Sequence, residues 1–107
     1  MALKQYQIVL VNLDPTIGSE IKKTRPCVII SPDEMNRPLR TVVIAPMTTR
    51  SKPYPTRVEV FHHQQTGWVV LDQIRTVDQQ RIIKPLGELS AAEIEQVKAV
   101  IEETYVK

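Results

Sequence analysis

The stretch "GSEIKKTRPCVII" (18–30) sets Glu20, Lys22, Lys23 and Arg25 directly before a β-branched apolar run, and Thr48 and Thr49 follow a second such run. Side chains of these types suit chemistry on a phosphate. The Arg25 guanidinium is a planar fork that bridges two phosphate oxygens and stays protonated, which also makes it a poor proton carrier. Glu20 is a candidate proton acceptor if its neighbours and partial burial bring its pKa towards the working pH. Thr48 and Thr49 offer hydroxyls that flank the same cleft, provided that the strand ending at Pro46 and the strand beginning at Arg25 are neighbours. RNA cleavage asks for little more than this. The attacking 2′-hydroxyl is already in the substrate, so the protein need only help remove its proton, hold the phosphate in line and neutralise the charge that builds on it.

Other chemistries lack their residues. The sequence contains no Gly-rich phosphate loop, no G-x-S-x-G, no H-E-x-x-H and no C-x-x-C. His62 and His63 are adjacent, so at a strand end they are expected to point to opposite faces and not to share an ion. Cys27 is the only cysteine, which excludes an internal disulfide or a multi-cysteine zinc site and leaves it the task of filling core space. No metal and no cofactor is expected. Each candidate also has a plainer role. Glu20 and Arg25 can form a loop ion pair, and Thr48 can cap a turn. Lys22 and Lys23 can be a solvated patch, Asp72 can bond turn amides, and Trp68 can be a core aromatic in place of a base-stacking one.

The elements that must carry these residues are short. With 107 residues, 42% hydrophobic and 24% charged, the chain has the makings of one soluble folded domain, 1–107. Its first ten residues lack the pattern of a secretory signal and no apolar run approaches a membrane span, so a reduced cytoplasm is predicted. Residues 1–57 hold nine Lys and Arg against four Asp and Glu, and residues 58–107 five against eight, so the basic half is also the half with the long loops. That asymmetry fits a polyanion-binding face or a chance imbalance.

Strands are predicted over 6–13, with Tyr6, Ile8 and Leu10 on one face and Val9, Val11 and Leu13 on the other, and over 25–31, 40–46 (stopped by Pro46), 56–62 and 68–77. A short last segment over 81–89 is expected to be broken by Pro85 and Gly87. Ser90 and Glu93 then read as a capping box, Leu89 and Ile94 as its hydrophobic staple, and Ile94, Val97, Ile101 and Thr104 as the buried stripe of one helix. Five or six short strands closed by a helix predict a mainly β protein, a small antiparallel barrel with the helix plugging an edge or end.

"LDPTIGSE" (13–20), "KTRPCVIISP" (23–32), "APMT" (45–48), "YPTRVEV" (54–60), "DQIRTVD" (72–78) and "LGELSAAEIEQV" (86–97) resemble, in order and spacing over nearly the whole chain, the MazF/PemK toxins of bacterial toxin-antitoxin systems. The resemblance implies an SH3-like antiparallel β-barrel with a C-terminal helix, the fold shared with CcdB, assembled as a homodimer with single-stranded RNA in the groove between protomers. It implies a metal-independent endoribonuclease that cuts at short sequence motifs and leaves a 2′,3′-cyclic phosphate and a 5′-hydroxyl. The implied partner is a cognate MazE/PemI-like antitoxin, whose acidic, otherwise disordered segment competes for the RNA track. Arg25 falls on the family's "RP" arginine, Thr48 on its catalytic threonine and Glu20 on the "GSE" acid. Asp72 and Gln73 match an acidic-Gln pair tied to RNA binding or catalysis in certain relatives. Ser19, Lys22, Lys23, Thr49, Arg50 and Lys52 complete the implied RNA-binding set. Where relatives place a histidine beside the "GSE" acid this chain has Ser19, and where some have an arginine two positions before Asp72 it has Val70, so those acid-base schemes do not transfer. The rivals are a CcdB-like gyrase poison, which depends on a Trp-Gly-Ile end that this chain lacks at Thr104–Lys107, and a non-catalytic SH3-like binding module.

Overall fold

Alternating apolar residues in the first half of the chain build strands that are buried on both faces. In the computed structural model, which describes residues 2–107, β1 (Gln7–Asn12) pairs antiparallel with β2 (Thr24–Ile29), and β2 pairs with β3 (Thr41–Thr48). Ile8, Val28, Ala45 and Met47 enter one core, together with Val58, Val60 and Val69. Val9, Val11, Cys27, Ile29, Val42 and Ile44 enter a second core on the opposite side. The two-faced burial expected of the first strand is therefore what the protein has. Each fully buried Val or Ile contributes about 1.5–3 kcal/mol, so these three strands are the stable frame on which the loops are hung.

The complete sheet runs β4-β5-β3-β2-β1-β7, where β4 is Arg57–His62, β5 is Gln65–Val70 and β7 is Ile82–Glu88; β6 (Arg75–Asp78) pairs with β3 beside this path. Where a small antiparallel barrel was expected, the sheet curls into an antiparallel half-barrel, mainly β with a C-terminal helix as expected. β3 is the strand that changes partners: its first half pairs with β6 from Thr41 to Ile44, and its end pairs with β5 at Met47 and Thr48. Pro46 does not stop it. Pro46 falls in the gap between those two pairings, so on that edge no ladder donor is asked of it.

Two further boundaries differ from expectation. The single strand predicted over 68–77 is interrupted by a 3-10 turn, Leu71–Gln73, which separates β5 from β6. The segment over 81–89 is one strand after all. β7 absorbs Pro85 and Gly87 because it lies at the sheet edge and takes two register shifts against β1, leaving Ile83 and Leu86 outside the pairing. The loop after β2 also holds one short helical turn, α1 (Asp33–Asn36).

Helix α2 (Ala91–Ile101) starts as its sequence requires. The Ser90 hydroxyl accepts from the Glu93 N–H at 3.2 Å while Glu93 Oε1 accepts from the Ser90 N–H at 2.8 Å. Glu93 Oε2 accepts in addition from the Phe61 N–H at 2.8 Å, so the same carboxylate ties the helix to the edge of β4. Leu89 and Ile94 pack into the core cluster that α2 covers, as do Val97 and Ile101, whereas Thr104 is exposed and lies in the wider π-helical turn Glu102–Val106. Among the described residues, no helix is long and apolar enough to cross a membrane.

Candidate active site

Cys27 stands opposite Pro46, so Arg25, two residues before Cys27, and Thr48, two residues after Pro46, leave the β2–β3 pairing at the same end. The strands that had to be neighbours are neighbours. Arg25, Pro26, Met47, Thr48 and Thr49 line one hollow of about 110 Å3, walled on its far side by His62, Gln65, Thr66 and Gly67.

Arg25 is half-buried, and its Nε donates to the Lys22 carbonyl at 2.8 Å. Neither Nη nitrogen makes a bond to protein among the described residues, so the fork is held from behind with its two outer donors free. The Thr48 hydroxyl accepts from the Arg50 N–H at 3.3 Å and donates to the Arg50 carbonyl at 3.2 Å, which makes it both a turn cap and a wall of the hollow. Thr49, Arg50 and Lys52 are exposed on the loop that follows.

His62, which reads from sequence as a solvated strand end, lines this hollow instead. The signal was present: Val58, Val60 and His62 alternate along β4, so the imidazole belongs to the inward face. Its Nε2 is buried and has no hydrogen-bond partner among the described residues, and burial, aided by the charge of His63 and opposed by Glu93, pushes its pKa down. The expectation that His62 and His63 point to opposite faces fails. Their rings stack with centroids 3.9 Å apart, because His63 and Gln64 take positive φ values of 49° and 59° in the two-residue turn and break the strand alternation.

Glu20 lies in a second hollow, of about 520 Å3, with Ser19, Ile21, Pro46, Asp72, Gln73 and Arg75. Its Oε1 accepts from the Ile17 N–H at 2.6 Å, closing the loop on itself, and no ion pair with Arg25 is present among the described residues. The loop around it begins with a cis Asp14–Pro15 bond and ends with Lys23 at φ 72°. Lys22 and Lys23 are exposed. Asp72 is engaged by Arg57 and Thr56. Burial acts to raise its pKa, but hydrogen bonds from those two side chains and the Arg57 charge outweigh it and hold the carboxyl below its ordinary value. Trp68 is half-buried in β5, opposite Glu59 and Thr48. Cys27 is wholly buried, its thiol pushed up to about 12 by burial, and it fills core space as expected.

Residues 4–105 match the family described as the PemK-like, MazF-like toxin of type II toxin-antitoxin systems. The chain belongs to this family. It is 32% identical over 106 residues to the endoribonuclease MazF9 of Mycobacterium tuberculosis, covering 89% of each chain. It is 32% identical over 95 residues to the endoribonuclease toxin MazF of Escherichia coli, covering 88% of this chain and 86% of that one. Among solved structures, the crystal structure of MazF from Deinococcus radiodurans superposes with a TM-score of 0.85 at 27% identity over 96% of both chains. A mycobacterial endoribonuclease in complex with its cognate antitoxin shares the fold, with a TM-score of 0.81 at 24% identity over 95% of this chain and 93% of that one.

Proposed function

We propose that this PemK/MazF-family protein is an endoribonuclease toxin that cuts single-stranded RNA at short sequence motifs without a metal ion or cofactor. The observation that carries the reading is the first hollow, which a guanidinium anchored through Nε, with two free donors, lines together with a threonine. In the reaction the 2′-oxygen bonds to phosphorus and the P–O5′ bond breaks, giving a 2′,3′-cyclic phosphate and a 5′-hydroxyl. The 2′-hydroxyl proton leaves to a base and the departing O5′ takes one up. Arg25 bridges the non-bridging oxygens and matches the charge of the pentavalent transition state. Thr48 holds the phosphate in line. Glu20 takes the proton through Oε2, the oxygen its loop bond leaves free, with the substrate lying across both hollows.

The RNA track is supplied by Ser19, Lys22 and Lys23 on the β1–β2 loop and by Thr49, Arg50 and Lys52 on the β3–β4 loop, while Asp72 and Gln73, on the turn between those loops, hold them rather than the RNA. The working form is a cytoplasmic homodimer, and an acidic segment of a MazE/PemI-like antitoxin competes for the same cationic track. Relatives named endoribonucleases and a neighbour solved with its antitoxin support this reading. The test is cleavage of a long unstructured RNA by the purified protein with chelator present. Cuts at a few repeated motifs, abolished by a 2′-deoxyribose at the cut site, are expected; cleavage across the deoxyribose would overturn the mechanism.

A further inference from the structure

The 3-10 turn Leu71–Gln73 holds three separate parts of the molecule. Asp72 holds the β3–β4 loop: its Oδ1 accepts from Arg57 Nε at 3.1 Å and from the Thr56 hydroxyl at 2.9 Å, and its Oδ2 accepts from Arg57 Nη2 at 3.2 Å. Arg57 passes the constraint further into that loop, donating from Nη1 to the Ser51 hydroxyl at 2.9 Å and lying 4.7 Å from the Tyr54 ring centroid. Gln73 holds the β1–β2 loop, with Oε1 accepting from the Ile21 N–H at 2.7 Å and Nε2 reaching the Ser19 carbonyl at 3.5 Å. Leu71 fixes the turn itself. Its side chain is fully buried, its N–H donates to the Thr56 carbonyl at 3.1 Å, and its carbonyl accepts from the Tyr105 hydroxyl at 2.5 Å.

We propose that this turn is the junction that sets the spacing between the two RNA-facing loops, so that Asp72, Arg57 and Gln73 are positioning residues that decide which bases beside the scissile phosphate are accepted. The inference rests on the nuclease reading and deepens it. Backbone contacts orient a nucleic acid, but sequence is read by groups held at fixed positions against the base edges. Here those groups ride on two loops that this three-residue turn holds in common. The polar atoms of Asp72 and Gln73 are already engaged with protein, which leaves them poorly placed to read bases directly. Loosening one loop shifts its ordering cost onto RNA binding and admits wrong bases, while the Arg25 fork stays in place. Gln73 differs in one respect. Its loop contains Lys22, whose carbonyl anchors Arg25, so slackening that side reaches the reacting phosphate as well.

The test uses Asp72→Asn, Arg57→Gln, their double variant and Gln73→Ala in the full chain. Asp72→Asn is expected to raise KM roughly tenfold with kcat nearly unchanged and to broaden the set of cut sites on a long RNA. The double variant should be no worse than either single one, since both remove the same link. Gln73→Ala should raise KM and lower kcat together. Without RNA, amide hydrogen exchange should quicken over residues 50–57 in Asp72→Asn and over 17–23 in Gln73→Ala. Additive effects in the double variant would overturn the proposal by showing that Asp72 meets the RNA itself, as would an unchanged cut-site set. A wild-type protein that cleaves nothing would sink the nuclease reading instead. Amide exchange would then still decide whether the turn governs both loops, and unchanged exchange in both variants would refute that.

Discussion

The two hollows differ in what their side chains are free to do. The first is built on strand ends, and its Arg25 fork keeps both outer nitrogens available. The second is built on loops, and three of its polar side chains are tied into the protein: Glu20 through Oε1 to Ile17, Gln73 to Ile21, Asp72 to Arg57. The contrast teaches that a rigid frame can leave a charged group unsatisfied on its substrate side, whereas a loop needs its own polar groups to hold its shape.

The sharpest way to break this contrast is Arg25→Ala. Single-turnover cleavage should fall about 10³-fold with the melting temperature unchanged, as expected when a transition-state donor is lost from a frame that does not need it. A matching drop in melting temperature would erase the distinction. Glu20→Gln comes next, because the amide oxygen can still accept from Ile17 while the proton acceptor is gone. A loss of about 10²-fold in the cleavage rate is expected, and an unaltered rate would remove Glu20 from proton transfer. Thr48→Val should cost about tenfold in rate, the worth of one hydrogen bond, and circular dichroism would check that the turn at Arg50 survives.

The smallest effect belongs to the second hollow and shows in stability. Because the folded Asp72 carboxyl lies below its ordinary value of 3.8, its stabilisation is complete above that value and fades as the pH falls through the folded pKa. Wild type should therefore melt slightly higher than Asp72→Asn at pH 7, and the two curves should converge towards pH 3 and below. Parallel curves down to pH 2 would mean that the Arg57 contact contributes nothing.

Much of the frame was legible because it depends on local rules. Alternation placed Ile8 and Val9 on opposite faces, and Ser90 with Glu93 announced the helix start. The first hollow was legible only once the "RP" and "APMT" segments were recognised as a pair, since spacing alone left strand adjacency open. What stayed hidden depends on residues far apart in the chain. Nothing near Asp72 says that Arg57 will meet it and break the apolar run 68–77 with a turn. Pro46 looks like a stop until β3 is seen to exchange one partner for another on either side of it. His62 was dismissed because adjacency was judged by strand geometry, and the turn at His63 does not obey it.

The exchange of partners along β3 divides the chain into parts that can change and a part that cannot. Each residue from Thr41 to Thr48 answers to at least one neighbouring strand, and Ile44 answers to two. A substitution there disturbs several pairings at once, while the exposed loop positions over 15–20 and 49–55 make no pairing with this strand. A saturation library scored for folding should show the deepest intolerance along this one strand.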